Sequence, residues 1–190
     1  MHADSWALKA KKLGFRSRAV FKLEEILKKT NSLQDDSLVL DIGSAPGGWS
    51  ELIKAMAPAA SVYAIDLLPM NPVEDVFFFQ EDLINIDKIP EIYSLKLKFD
   101  LVISDLAPNL SGIRAVDEEN IYNLNIETLR TASSYLNGHN GSFIIKTFQN
   151  SLLKKLRTEM EKCFHLVQTY KPAASKSKSG EIYLFGEKPL

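Results

Sequence analysis

The chain has 190 residues, with 23 Lys and Arg against 24 Asp and Glu, a formal net charge of −1 and 45% hydrophobic residues, the profile of a single globular domain spanning 1–190. Its apolar content is too high and its net charge too low for a disordered chain, and no stretch approaches the roughly 18 uninterrupted apolar residues of a membrane-spanning helix. One cysteine, Cys163, excludes an internal disulfide, and His2, His139 and His165 stand too far apart to suggest a metal cluster.

The N-terminal segment, MHADSWALKAKKLGFRSR, has no apolar run between its charges. It therefore lacks a secretory signal, and the expected compartment is the cytoplasm. Charge is segregated along the chain: residues 1–30 carry +5, residues 31–145 carry −11 and residues 146–190 carry +5. Folded onto one face, the two ends would make a patch suited to a polyanion; kept apart, they would only solubilise the domain. Arg18–Lys29 then sets Val20, Phe21, Leu23, Ile26 and Leu27 near one face at helical spacing, an amphipathic helix ahead of the first strand.

Five short apolar runs follow: Leu38–Ile42, Val62–Ile65, Val76–Phe79, Leu101–Ile103 and Phe143–Ile145. Rich in β-branched and aromatic residues, they read as buried parallel strands. Helical stretches lie between or after them over Trp49–Met56, more weakly over Ile89–Leu95, and over Glu118–Leu136 and Ser151–Cys163. The alternation predicts a doubly wound α/β sheet. His165–Tyr170 and Glu181–Phe185 are two further strands joined by KPAASKSKSG. With no helix between them they form a hairpin, so one edge strand is expected to run antiparallel.

The first strand ends in Asp41 and runs into a turn of Gly43, Ser44, Ala45, Pro46, Gly47 and Gly48 before a helix begins near Trp49. Glycines let backbone approach a ligand closely, and in open α/β sheets ligands bind at the carboxyl ends of the strands. The turn matches neither G-x-G-x-x-G nor a phosphate-binding P-loop, which favours an adenosyl ligand without phosphates. Asp66 ends the second strand, where a carboxylate accepts both hydrogens of a ribose diol; the alternative is a helix cap. Asp105 follows the fourth strand on the same sheet edge, although Pro108 and Asn109 after it also suit a plain turn.

DIGSAPGGWS (Asp41–Ser50), SDLAPNLSG (Ser104–Gly112) and RSRAVFKLEEI (Arg16–Ile26), with IKTF (Ile145–Phe148) and SGEIY (Ser179–Tyr183), together resemble the FtsJ family of S-adenosylmethionine-dependent RNA 2′-O-ribose methyltransferases. The likeness runs from Lys11 to Phe185. It implies a Rossmann-like methyltransferase fold, a mostly parallel seven-stranded sheet with an antiparallel edge hairpin and helices on both faces. It also implies a catalytic tetrad of Lys22, Asp105, Lys146 and Glu181, and S-adenosyl-L-methionine contacts from Gly47, Trp49, Asp66, Asp82 and Asp105, with no metal. Asp82 would receive the adenine amino group; otherwise it is a solvated loop acid beside Glu81.

The chemistry of the residues agrees with that carry-over. A ribose hydroxyl must lose its proton as it attacks the sulfonium methyl in line. An ammonium partly removed from water and close to a second cation gives up its proton more readily, so Lys146, at the end of a buried strand, can act as a base with Lys22 as the second cation. Lys9, Lys11, Lys12, Arg16 and Arg18, with Lys171, Lys176 and Lys178 in the last loop, are candidates for RNA phosphates, and Phe15 for stacking on a base. The resemblance implies large-subunit ribosomal RNA within the 50S particle as the substrate, a uridine as the target, and a monomer. A transfer RNA anticodon-loop methyltransferase, a non-catalytic RNA-binding assembly factor and a small-molecule methyltransferase are the alternatives.

Overall fold

A computed structural model describes residues 5–175 and 179–190. Helix α1 (Ser5–Lys12) and helix α2 (Val20–Thr30) precede strand β1 (Leu38–Ile42). Helix α3 (Gly48–Met56), strands β2 (Ser61–Asp66) and β3 (Val76–Gln80), a 3₁₀ turn (Leu83–Lys88) and helix α4 (Pro90–Tyr93) follow. Strand β4 (Leu101–Ser104), helix α5 (Arg114–Tyr135), strand β5 (Ser142–Phe148), helix α6 (Leu153–Glu161) and strands β6 (Phe164–Tyr170) and β7 (Glu181–Pro189) complete the chain.

The seven strands make one sheet in the order β3-β2-β1-β4-β5-β7-β6. The pairs β1–β2, β1–β4, β2–β3 and β4–β5 are parallel, whereas β7 is antiparallel to both β5 and β6. The edge is thus the expected hairpin, and its reversed strand is the inner one: β7 inserts beside β5 and leaves β6 outermost. That insertion carries Glu181, the first residue of β7, to the carboxyl end of β5.

Two local features depart from the sequence reading. Helix α1 was not anticipated because only its Ala10 is buried, so no apolar stripe marks it; its Ala, Leu and Lys residues favour a helix without patterning one. The expected Ile89–Leu95 helix is broken at Ile89, where Pro90 ends the 3₁₀ turn and opens α4 at its first position.

The sheet divides the core in two. Val39, Val62, Leu101, Ile103, Ile144, Tyr183 and Phe185 pack under α2 and α3, whereas Leu40, Ile42, Ile65, Val102, Phe143, Ile145 and Leu184 pack under α4, α5 and α6. Strand side chains alternate faces, so the same parity carries Asp41, Asp66, Asp105, Lys146 and Glu181 onto the α2–α3 side. Every acidic and basic residue assigned to the strand ends therefore faces the layer that also contains Lys22.

Candidate active site

The strand ends and α2 bring two ion pairs together. Lys22 Nζ lies 2.6 Å from Glu181 Oε1, with both side chains largely buried. Lys146 Nζ lies 3.1 Å from Asp105 Oδ1 and also donates to the backbone carbonyl of Asp105. The Tyr183 hydroxyl donates to Asp105 Oδ1 over 3.2 Å and also feels the charge of Glu181, so it stands between the two pairs. Ser175 Oγ donates to Glu181 Oε1 at 3.1 Å. The four residues of the expected tetrad meet in one cluster, and Tyr183 joins them.

Buried charge shapes the protonation of this cluster. Burial pushes the Asp105 carboxyl up, against the pull of Lys146 and Lys22. The Tyr183 phenol is raised well above its ordinary value, first by burial and then by the carboxylates of Asp105 and Glu181. It therefore stays protonated and serves as a donor. Behind the cluster, Asp41 is fully buried and pushed up to about 7, chiefly by desolvation and further by Asp105 and Asp66. Its Oδ2 accepts from Ser50 Oγ at 2.7 Å, while Oδ1 has no partner among the described residues.

A cleft of about 680 Å³ opens beside the cluster along the carboxyl edge, within the usual size of small-molecule sites, roughly 300–1,000 Å³. Ile42, Ile65, Leu67, Leu68, Leu83 and Leu106 give it apolar walls, and Asp66, Glu81, Asp82 and Asp105 line it with carboxylates. Asn109, Asn120 and Asn123 add amides, and among the described residues no lysine or arginine lines it. Such a site suits hydroxyl and amino donors on an apolar ring system and offers nothing to neutralise a phosphate. The residues present thus fit an adenosine-based ligand without phosphates. Gly43 shapes the floor: at a φ of +78°, any Cβ there would collide with the Leu106 side chain.

The expected contact residues fall in different places. Asp66 lines the cleft and accepts from the backbone N–H groups of Ala45 and Leu68, each at 2.8 Å, so it ties the turn after β1 to the loop after β2. Asp82 lines the cleft and also caps the 3₁₀ turn through Ile84 N–H at 3.2 Å. Gly47 and Trp49 lie outside the cleft lining. The Trp49 indole is buried against α2, donating to the Ala19 carbonyl at 3.1 Å and facing Tyr183 at 6.0 Å between ring centres. Only the backbone of these two residues remains as a means of holding a ligand.

Both basic ends pack on α2. Trp6 and Phe15 contact Phe21, with ring centres 5.2 and 6.1 Å away, and Lys9 Nζ lies 4.6 Å above the same ring. In the last loop, Ala173 N–H donates to Glu25 and Ala174 is buried in the same core. Lys176 and Lys178 lie outside the described residues. Phe15 packs against Phe21, and the Arg16 side chain is bonded within the protein.

Sequence reasoning missed Tyr183 and the internal use of Arg16. Strand alternation held a signal for the first, since Tyr183 lies two residues beyond Glu181 and so on the same face. No local pattern announced the second.

A family model described as FtsJ-like methyltransferase matches residues 15–188. Ribosomal RNA large subunit methyltransferase E of Wolbachia pipientis wMel is 37% identical over 98% of both chains. The protein of the same name from Nitrosospira multiformis is 38% identical over 96% of this chain and 90% of its own. A Plasmodium falciparum crystal structure assigned as a ribosomal RNA methyltransferase superposes with a TM-score of 0.80 at 29% identity, covering 93% of this chain and 99% of that one. Human methyltransferase-like protein 13, solved with SAH, shares the fold at 12% identity and a TM-score of 0.63, over 87% of this chain and 81% of its own.

Proposed function

The chain belongs to the FtsJ-like methyltransferase family, and we propose that it transfers the methyl group of S-adenosylmethionine to the 2′-hydroxyl of a uridine ribose in large-subunit ribosomal RNA within the 50S particle. One observation carries the reading: the pairs Lys22–Glu181 and Lys146–Asp105 meet at the carboxyl edge of the sheet, and Asp105 itself lines the phosphate-averse cleft. The substrate class is supported by the relatives named for the large subunit, which match nearly the whole chain.

When bound, S-adenosylmethionine supplies an electrophilic methyl group on a positively charged sulfur. Asp66 and Asp82 would hold its adenosine by accepting from ribose hydroxyls and the adenine amino group, and Gly47 and Trp49 would contribute through their backbone. Lys146 is fixed from two sides by Asp105, through carboxylate and carbonyl, so its charge stays at one point. There it can stabilise negative charge growing on the 2′-oxygen as the proton leaves. Lys22, held by Glu181, adds a second positive charge from the helix on which both basic ends pack. With both lysines charged, the departing proton passes to one of the two carboxylates of the cluster, Asp105 or Glu181. Exposed Lys11, Lys12 and Lys171 supply charge toward RNA phosphates.

The test is methyl transfer from labelled S-adenosylmethionine to unmodified large ribosomal subunits, free ribosomal RNA and transfer RNA, followed by alkaline cleavage. Label confined to the subunit at an alkali-resistant position is the expected result. Label in transfer RNA would move the substrate there, and absence of label from every acceptor would overturn the enzymatic reading.

A further inference from the structure

The Arg16 guanidinium is engaged within the protein. Nη1 donates to the carbonyls of Pro46 at 3.0 Å and Asn71 at 2.7 Å, and Nη2 donates to that of Pro72 at 2.6 Å. Nε lies 3.7 Å from Glu51 Oε1, and the Arg16 backbone N–H is 3.4 Å from Glu51 Oε2. A guanidinium has five donors in a rigid fork. Here the fork is spent on carbonyls from two loops and on a carboxylate of α3.

Those two loops follow the adjacent strands β1 and β2 and form neighbouring walls of the cleft. The turn after β1 contributes Gly43 and Ala45, and the loop after β2 contributes Leu67 and Leu68. Asp66 ties the walls from inside, through Ala45 N–H and Leu68 N–H, and Arg16 ties them from outside, through Pro46 and Asn71–Pro72. The fit around the turn is close. At Gly47, with a φ of +102°, a Cβ would meet Met70 Sδ at 2.9 Å, Arg16 Nη1 at 3.0 Å and Val73 Cγ2 at 3.0 Å.

We propose that Arg16 is a positioning residue that sets the spacing of the two cleft walls for the cofactor and makes no contact with RNA. The proposal rests on the assignment of the cleft to S-adenosylmethionine. Losing the fork frees carbonyls at the surface, where water replaces the bonds at little cost in stability, but it leaves the two walls joined from the inner side alone and so loosens their spacing. The effect should therefore appear in cofactor affinity.

Calorimetric binding of S-adenosylhomocysteine without RNA, on the full chain, tests this with Arg16→Gln, Arg16→Lys and the exposed-surface variant Lys12→Gln. Arg16→Gln is expected to weaken binding about tenfold or more, the scale of a typical coupling between sites. Arg16→Lys is expected to recover only part of the loss, because a single ammonium cannot span the two loops. Lys12→Gln is expected to keep wild-type S-adenosylhomocysteine affinity while binding RNA less tightly. In turnover, Arg16→Gln is expected to raise KM for S-adenosylmethionine and leave kcat near wild type, a split that general destabilisation does not produce. Wild-type affinity in Arg16→Gln, or a loss of RNA binding at saturating S-adenosylhomocysteine, overturns the proposal. Should Arg16→Gln not fold, Arg16→Lys decides by the same measures. A wild-type protein that fails to bind S-adenosylhomocysteine overturns the cleft assignment as well.

Discussion

The Tyr183 hydroxyl stands 3.2 Å from Asp105 Oδ1, the same carboxylate oxygen that faces Lys146 Nζ. In the sheet, Tyr183 is the register partner of Lys146, so one cross-strand pair holds both groups that grip Asp105. Tyr183→Phe keeps the buried ring and removes only the donor. The expected result is a lower kcat with KM for S-adenosylmethionine unchanged, and a loss of about 1–3 kcal/mol of stability for a hydrogen bond to a buried carboxylate. Steady-state kinetics beside urea unfolding checks both, and an unchanged kcat would reduce Tyr183 to packing.

Lys146→Met retains the apolar stem and removes the ammonium. Methyl transfer is expected to vanish while S-adenosylhomocysteine binding survives, because Lys146 is absent from the cleft lining. Stability should fall by about 3–5 kcal/mol, as Asp105 loses its ion-pair partner. Calorimetry and a labelled-methyl assay separate the outcomes, and loss of cofactor binding in a folded variant would make Lys146 structural.

Asp66→Asn tests the cofactor side. The carboxylate accepts two backbone N–H groups, and an amide turns a donor toward one of them. Cofactor affinity is expected to drop at least about tenfold, roughly the loss of one charge-assisted bond, with kcat at saturation little altered. Unchanged affinity would remove Asp66 from the site.

Asp41 makes stability depend on pH. Burial, with Asp105 and Asp66 nearby, raises its carboxyl from 3.8 to about 7. The folded protein therefore binds a proton that the unfolded chain releases, so stability falls as pH rises from about 4 to about 7, by at most about 1.4 kcal/mol per pH unit. Asp105, also raised by burial, acts in the same direction. Asp41→Asn keeps an acceptor for Ser50 and carries no charge. Its unfolding free energy is expected to decline less steeply over that window, and urea titrations at several pH values would show this; a parallel profile would discard Asp41 as the source.

The elements were legible in the sequence because burial patterns are local. β1 occupies Leu38–Ile42 as expected, and the other strands differ from expectation only by residues at their ends. Asp41, Asp66 and Asp105 could be placed at strand ends from the apolar runs that precede them, and the tetrad followed from motif resemblance. What those side chains touch was settled by tertiary structure alone. Lys22 meets Glu181 because β7 enters the sheet beside β5 in reverse and strand alternation turns Glu181 and Tyr183 toward α2. Arg16 looked like one more basic residue until the loops after β1 and β2 surrounded it with carbonyls. Trp49 follows a glycine-rich turn, yet its indole faces Ala19 on α2. Apolar periodicity reports which face of an element is buried; the partner of a polar side chain depends on register and on segments distant in sequence, which only the folded chain brings within bonding distance.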